Sequence, residues 1–498
     1  MKEIKGQFRR KVMRDSFWSL SSSMIARVGG LIFTIIAARF LMPEGFGIYN
    51  LAFSVAIIFM TFIDLGINNT MIRFVSAEIG KNKKKAAAYF QYLFRIKVIL
   101  SLIFATILLL SSYPLANYLF KKPELFVPLI LFSIYMLIFS VESIFEASFY
   151  VKNKVSYIAI KEATYQSLRI LTLVLVIYLF SQVHYVIGAI VGLLVTIFLV
   201  LILVLFLYRK DFEFLTRKQN VYIDKKRVLK FVGFLTISNL SNIFFSYMDT
   251  IMLGIFLSAA YIGFYKASIG LIFAITGTLS FSGIFLSALA KIKRENLQSS
   301  FDKILKYLLV LIIPAITGIF LLARYVLVFV YGYDYLKAIT VLYILTPLIF
   351  FVVMVSLFSS LLSSKEQNRE LAFLTVVITA INILLIYIFI KIFLKYSEIS
   401  ATAGVALAML ISWIIYFAGI LILAKTKLNI HFKASLLIKP VIASLIMAAF
   451  LYLISPSIKD MSIISGALEV IGGAAIYFGI MVLIKGIKLD ELLDAFGK

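Results

Sequence analysis

Four bases and two acids interrupt stretches of this sequence that are otherwise apolar: Arg27, Arg95, Lys97 and Arg169, with Glu142 and Glu146. A charge near the middle of a bilayer costs at least ~2.5–3.5 kcal/mol, so it faces water, a partner or a substrate. Arg27 follows Phe17 by ten residues, which places it roughly 15 Å along a helix, and the others lie roughly 9–12 Å from the cytoplasmic ends of their helices. Glu142 and Glu146 share one helix face as an i,i+4 pair. Arg95 and Lys97 point about 200° apart and cannot both face one cavity. One reading is that the acids neutralise nearby bases and lock helices together. The other is a cationic vestibule for an anionic substrate, such as a phosphate or pyrophosphate head group, which arginine binds through paired donors. The surplus of bases over acids favours the second.

Helical spacing gathers further polar groups. Ser19, Ser23, Arg27, Gly30 and Thr34 form one stripe, and Ser238, Asn242, Ser246 and Asp249 form another. Ser23, Arg27, Asn242 and Ser246 are expected to line one central cavity, although small residues also let helices pack closely. Asp64 is expected to pair with Arg73 or an adjacent helix. Asp249, near the outer mouth, reads as a gate group, a cation or proton site, or a cap. Arg39 and Glu44 bracket an outer turn as a rim pair. Pro314 and Pro347 fall inside apolar runs, where proline can bend a helix. No GxxxxGK[ST], HExxH or GxSxG pattern occurs. Zero cysteines and two histidines, His184 and His431, argue against a metal centre. No catalytic residue, metal or cofactor is expected, and the chain reads as a non-enzyme.

The elements that must hold these side chains are membrane helices. Hydrophobic residues make up 62% of the 498 and mean hydropathy is +1.03, far outside soluble usage. Apolar runs near the roughly 20 residues that cross a bilayer recur about fourteen times. Their continuity, as in Leu193–Tyr208 or Leu371–Ile390, excludes the alternation of a β-barrel. The expected spans are 17–41, 49–69, 89–112, 125–150, 163–180, 187–208, 231–257, 267–290, 307–323, 338–363, 371–390, 401–424, 440–454 and 463–484. Between them, 36 Lys and Arg fall on the side holding both termini, 8 on the other and 5 inside spans. By the positive-inside rule both termini are cytoplasmic, and the net charge of +25 has a topological explanation that makes nucleic acid an unneeded partner. Six Lys and Arg precede the first span, which reads as a permanent helix rather than a cleaved signal. Residues 1–208 are expected to form an N-lobe, 209–230 a basic cytoplasmic hinge, 231–424 a C-lobe, and 425–498 two added spans with a cytoplasmic tail. A 216-residue offset pairs Thr34-Ile35 with Thr250-Ile251, Phe40-Leu41 with Phe256-Leu257, Gly47 with Gly263 and Tyr49 with Tyr265. Parallel repeats of this kind place a substrate site between lobes.

The run Ala38-Arg-Phe-Leu-Met-Pro-Glu-Gly-Phe-Gly-Ile-Tyr49, with Asp64-Leu-Gly66 and Arg73, resembles the start of polysaccharide-biosynthesis flippases of the multidrug/oligosaccharidyl-lipid/polysaccharide exporter superfamily. Asp249-Thr-Ile-Met-Leu-Gly254 and Gly263-Phe-Tyr-Lys-Ala267 resemble the opening of their second lobe. The resemblance implies an all-α fold of two six-helix lobes plus two helices. It also implies alternating access that moves undecaprenyl- or dolichyl-linked saccharides from the inner to the outer leaflet of the plasma membrane. Expected partners are the lipid-linked oligosaccharide, membrane lipids, a coupling ion (sodium or proton) and glycan-assembly enzymes. A polar cavity suits such cargo, because each unpaired hydroxyl costs ~2–7 kcal/mol in hydrocarbon. The rival on the same fold is a multidrug and toxin extrusion cation antiporter, whose cavity should be acidic and aromatic. A membrane glycosyltransferase or polymerase would need larger outer loops, and a structural scaffold leaves the buried charges unexplained.

Overall fold

The computed structural model of the chain describes residues 2–179, 185–217, 219, 221–280, 285, 289, 292, 294–454 and 463–486. Among the described residues there are fifteen α-helices and no strand, as a chain in lipid must satisfy its backbone within each segment. Among the described residues ten helices are long and apolar enough to cross a membrane, or eleven when one bent pair counts as a span. The first helix bends at Met42 and carries two of the about fourteen expected spans, and the seventh and the last include side chains outside the described residues.

The chain divides into two compact units, Met1–Gly263 and Phe264–Lys498. The first holds α1 (Lys2–Asp64), α2 (Ile67–Ile79), α3 (Lys83–Pro114), α4 (Phe126–Val151), α5 (Val155–Leu179), α6 (Tyr185–Phe212), α7 (Lys225–Phe256) and the start of α8 (Ala259–Leu279). Here α1 packs along α5, α4 and α7, while α4 packs on α3 and α6. Met42 breaks α1 with φ 56° and ψ 170°. Pro43 follows, and a residue before proline is driven out of the helical region. Just beyond the break, a side chain on Gly47 would place its Cβ 1.8 Å from the carbonyl oxygen of Ala259, and one on Gly263 would place it 2.0 Å from that of Pro43. Only glycine permits backbones this close.

At one end of this unit, Phe90, Phe145, Phe149, Tyr208 and Phe212 join a core that also buries Leu215, Ile223 and Val228. The basic connection was expected to be a hinge. Its apolar residues sit in this core, and Gln91 Nε2 holds it by donating to the carbonyls of Leu215 (3.1 Å) and Arg217 (2.6 Å). Asp224 caps α7 by accepting from the Arg227 backbone at 3.0 Å. In the short α4–α5 turn, Lys154 pairs with Asp211 at 3.0 Å, and that bond raises its ammonium above the ordinary lysine value.

The second unit holds most of α8, then α9 (Leu297–Tyr331), α10 (Ile339–Leu345), α11 (Leu348–Ser364), α12 (Asn368–Phe393), α13 (Glu398–Leu428), α14 (Ile438–Ile454) and α15 (Ile463–Leu483). The segments on either side of Pro347 meet at 48°, whereas Pro314 lies within a continuous α9. The eighth span was expected at 267–290. Its helix begins at Ala259 and is described to Leu279, and much of the remainder lies outside the described residues. The last two helices pack together and on α9, where Tyr477 donates to the Val310 carbonyl at 2.8 Å.

Candidate functional site in the first helical unit

Asp64 is the last residue of α1, and Leu65 (φ 43°) and Gly66 (φ 80°) then turn the chain through left-handed backbone into α2. That tight turn brings Asp64 and Asn68 to the same point in space. Lys97, from α3, fills it: its Nζ lies 2.9 Å from Asp64 Oδ1, 2.6 Å from Asn68 Oδ1 and 2.8 Å from Ser143 Oγ. An ammonium has three N–H donors, so these contacts satisfy a side chain that is only 3% exposed. Asp64 thus pairs with an adjacent helix rather than with Arg73, whose guanidinium stacks 4.3 Å over the Phe231 ring. A cavity of about 480 Å³ opens beside the cluster, lined among others by Asp64, Asn68, Lys97, Phe139, Glu146 and Tyr150.

The i,i+4 acids of α4 meet a base that lay among the cytoplasmic loop residues of the sequence reading, Lys161 near the start of α5. Its Nζ is 3.1 Å from Glu146, 3.5 Å from Glu142 and 3.9 Å from Glu162. Glu142 is fully buried. The base facing it is therefore Lys161, although the sequence drew attention to Arg27. The signal that could have found Lys161 is its stripe on α5, where Lys161, Tyr165 and Arg169 recur every four residues, flanked by Glu162 and Gln166.

Further along that stripe, Arg169 lays its guanidinium 4.3 Å over the Phe33 ring and 5.5 Å from the Tyr165 ring centroid, a cation–π arrangement. Its Nε is buried and has no hydrogen-bond acceptor. Glycines allow α1 to approach: a Cβ on Gly29 would fall 2.7 Å from Gln166, and one on Gly30 would fall 3.6 Å from the Arg169 guanidinium. Gln166 in turn donates to Glu162 at 2.6 Å.

The remaining expected site residues disperse. Arg95 is exposed on the face of α3 away from buried Lys97. Arg27 and Ser23 are exposed on α1, as are Asn242 and Ser246 on α7. The Ser23 hydroxyl donates to the Ser19 carbonyl (3.0 Å) and that of Ser246 to the Asn242 carbonyl (2.8 Å), so neither hydroxyl needs a second helix. The side chain of Ser238 and the whole of His184 lie outside the described residues. Asp249 is buried within α7 and accepts from the Thr250 backbone (2.5 Å) and hydroxyl (2.9 Å). Arg39 and Glu44 stand exposed on either side of the break at Met42. Near that turn a second base absent from the expected set, Lys122, donates to the Gly254 carbonyl at 2.6 Å. Among the described residues no group of three His, Cys, Asp or Glu could hold a metal ion.

Comparison with solved structures finds this fold elsewhere. The lipid II flippase MurJ, in an inward closed conformation, superposes with a TM-score of 0.77 at 17% identity, over 94% of this chain and 98% of that one. An inward-facing multidrug resistance MATE family transporter of the MOP superfamily gives a TM-score of 0.65 at 15% identity, over 83% and 98%. A MOP superfamily transporter from Pyrococcus furiosus, whose binding pocket has reversed polarity, gives 0.51 at 14%, over 83% and 95%. These likenesses establish a polytopic helical fold shared by flippases and transporters. No curated protein sequence matches the chain. The model of one family, polysaccharide biosynthesis protein, matches residues 12–285. More than half of the sequence is thereby accounted for, and this chain belongs to the polysaccharide biosynthesis protein family.

Proposed function

We propose that the chain is a flippase that carries a polyprenyl-(pyro)phosphate-linked oligosaccharide from the inner to the outer leaflet by alternating access, for assembly of a surface polysaccharide or glycan. Family membership and a MurJ-like fold support the class. The observation that carries the reading to this chain's own residues is Arg169. Its guanidinium is held on two aromatic faces while its buried Nε has no acceptor, and an anionic phosphate oxygen supplies one. Arg27, a little under one turn before Gly30 on the facing helix, provides a second fork. Lys97 is saturated by protein groups and contributes by shaping the cavity. The proposal includes two six-helix lobes with two added helices, both termini cytoplasmic, residence in the plasma membrane, and handover to glycan-assembly enzymes.

One observation favours the cation antiporter: the 480 Å³ cavity brings Asp64 and Glu146 beside Phe139 and Tyr150. Lys97 at 2.9 Å from Asp64 offsets part of that acidity. Deleting the gene separates the two. The flippase reading requires lipid-linked oligosaccharide to build up on the cytoplasmic leaflet with loss of surface glycan. Drug sensitivity with normal glycans would establish the antiporter instead.

A further inference from the structure

We propose that Glu142, bridged through Lys161 to Glu146 and Glu162, is a proton-binding site, and that its protonation drives transport. The coupling role rests on the reading of this chain as a translocator, and the binding site does not. Three carboxylates share one ammonium, so with all four groups ionised the cluster carries two uncompensated negative charges. The three acids are not equivalent. Glu146 is 20% exposed and lines the cavity, where water reaches it. Glu162 accepts from Gln166. Glu142 is 0% exposed, and neither of its carboxylate oxygens accepts a hydrogen bond. Its ion pair at 3.5 Å is longer than that of Glu146 to the same ammonium. A carboxylate this deep, with no donor and a shared counter-ion, is the costliest ion of the three.

Other groups around Glu142 leave the deficit standing. Across the cavity, Lys97 from α3 is committed to Asp64, Asn68 and Ser143. From α2, Arg73 lies over Phe231. Tyr135 of α4 and Tyr165 of α5 have their hydroxyls 3.4 Å from one another, and Tyr208 of α6 packs its ring against Phe145. These phenols carry no positive charge. A metal cation is disfavoured by geometry, because the place where three carboxylates converge is already filled by the Lys161 ammonium. A proton needs no such room. The lysine stem is long and flexible, and Glu146 and Glu142 lie one helical turn apart. Protonation of Glu142 leaves Lys161 to Glu146 and Glu162, and deprotonation draws it inward, so the state of one buried acid alters how α4 and α5 are tied.

The experiment uses the full-length protein, purified and reconstituted in phosphatidylcholine vesicles without substrate. Infrared difference spectra between about pH 5 and about pH 9, a window that brackets perturbed carboxyl groups, report the C=O stretch of protonated carboxylic acids. The expected result is a titrating band that Glu142→Gln removes, that survives Glu146→Gln, and that is unchanged when potassium replaces sodium. A band of equal amplitude in Glu142→Gln, or one suppressed by sodium, overturns the proton site. Should Glu142→Gln not elute as a folded species, Glu142→Asp keeps the carboxyl and should displace the band in frequency; an undisplaced band overturns the assignment. For coupling, a fluorescent undecaprenyl-pyrophosphate disaccharide serves as the transport probe. An imposed pH gradient should speed its flipping by the native protein and not by Glu142→Gln, and equal responses overturn the coupling role. Failure of the native protein to flip the probe, with the infrared band intact, refutes the flippase reading and leaves the proton site standing.

Discussion

Lys97 and Arg169 illustrate two fates for a base inside a membrane protein, and they predict opposite behaviour on substitution. Lys97 is saturated by Asp64, Asn68 and Ser143. Lys97→Met should therefore lose about 1.5–3 kcal/mol of stability, the range for hydrogen bonds to charged groups. Thermal unfolding in detergent measures this, and adding Asp64→Asn should cost less than the sum of the two single changes, because the pair is coupled. Arg169 has donor capacity to spare. Arg169→Ala and Arg27→Ala should each lower flipping per folded molecule at least ~10-fold, the loss that corresponds to about 1.4 kcal/mol, and the lysine variants should recover only part, having charge without the fork. Full activity in Arg27→Ala would take that residue out of the substrate path. Asp64, Lys97, Glu142 and Glu146 stood out in the sequence because a charge in an apolar run is conspicuous. Lys161 did not, since a base seven residues beyond a loop at Asn153-Lys154 looks like part of the positive cytoplasmic fringe. Pairing geometry in three dimensions decides between those roles, and one-dimensional spacing does not carry it.

Helices in this chain were legible where hydropathy and punctuation agreed. Asn82 before α3 and Asp224 before α7 cap those helices in the structure, a signal that the reading of spans by hydropathy does not use, and the break before Pro43 falls between the first two expected spans. In the basic connection after α6 the charges are more visible in the sequence than the apolar residues, and Leu215, Ile223 and Val228 are what fasten it. Close packing of α1 on α5 depends on Gly29. Gly29→Leu should push the two helices apart at Gln166 and cost about 1–3 kcal/mol through overpacking, read as a fall in unfolding temperature with the far-ultraviolet helix signal retained. The polar stripes can be mapped by labelling, since the native chain has no cysteine. Cysteines replacing Ser23, Arg27, Asn242 or Ser246 should react with small hydrophilic thiol reagents faster than those replacing Ile25 or Leu240. Equal rates would show that these faces meet lipid rather than water.

At the scale of the whole molecule, the surplus of Lys and Arg predicts that cysteines introduced at both termini are labelled only when the reagent reaches the cytoplasmic side. Labelling of either terminus from outside would reverse the topology. Repeated crossing of a membrane was legible because apolar length is a one-dimensional property, whereas the packing inside each unit depends on which faces meet. The unit boundary falls at Gly263 and keeps α7 with α1, beyond the basic connection where charge placed it. Gly47 meets Ala259, and Gly263 meets Pro43. Adding 216 to 43 and 47 gives 259 and 263, so each contact is the other's mate under the repeat offset. Residue i touching j while j's counterpart touches i's is the rule of an isologous interface, the kind made by two copies of one polypeptide. In a true dimer of that half, a single substitution would strike both contacts at once. In this covalently joined chain Gly47→Ala and Gly263→Ala can be made one at a time, so any inequality in lost stability between them measures how far the two contacts differ in energy.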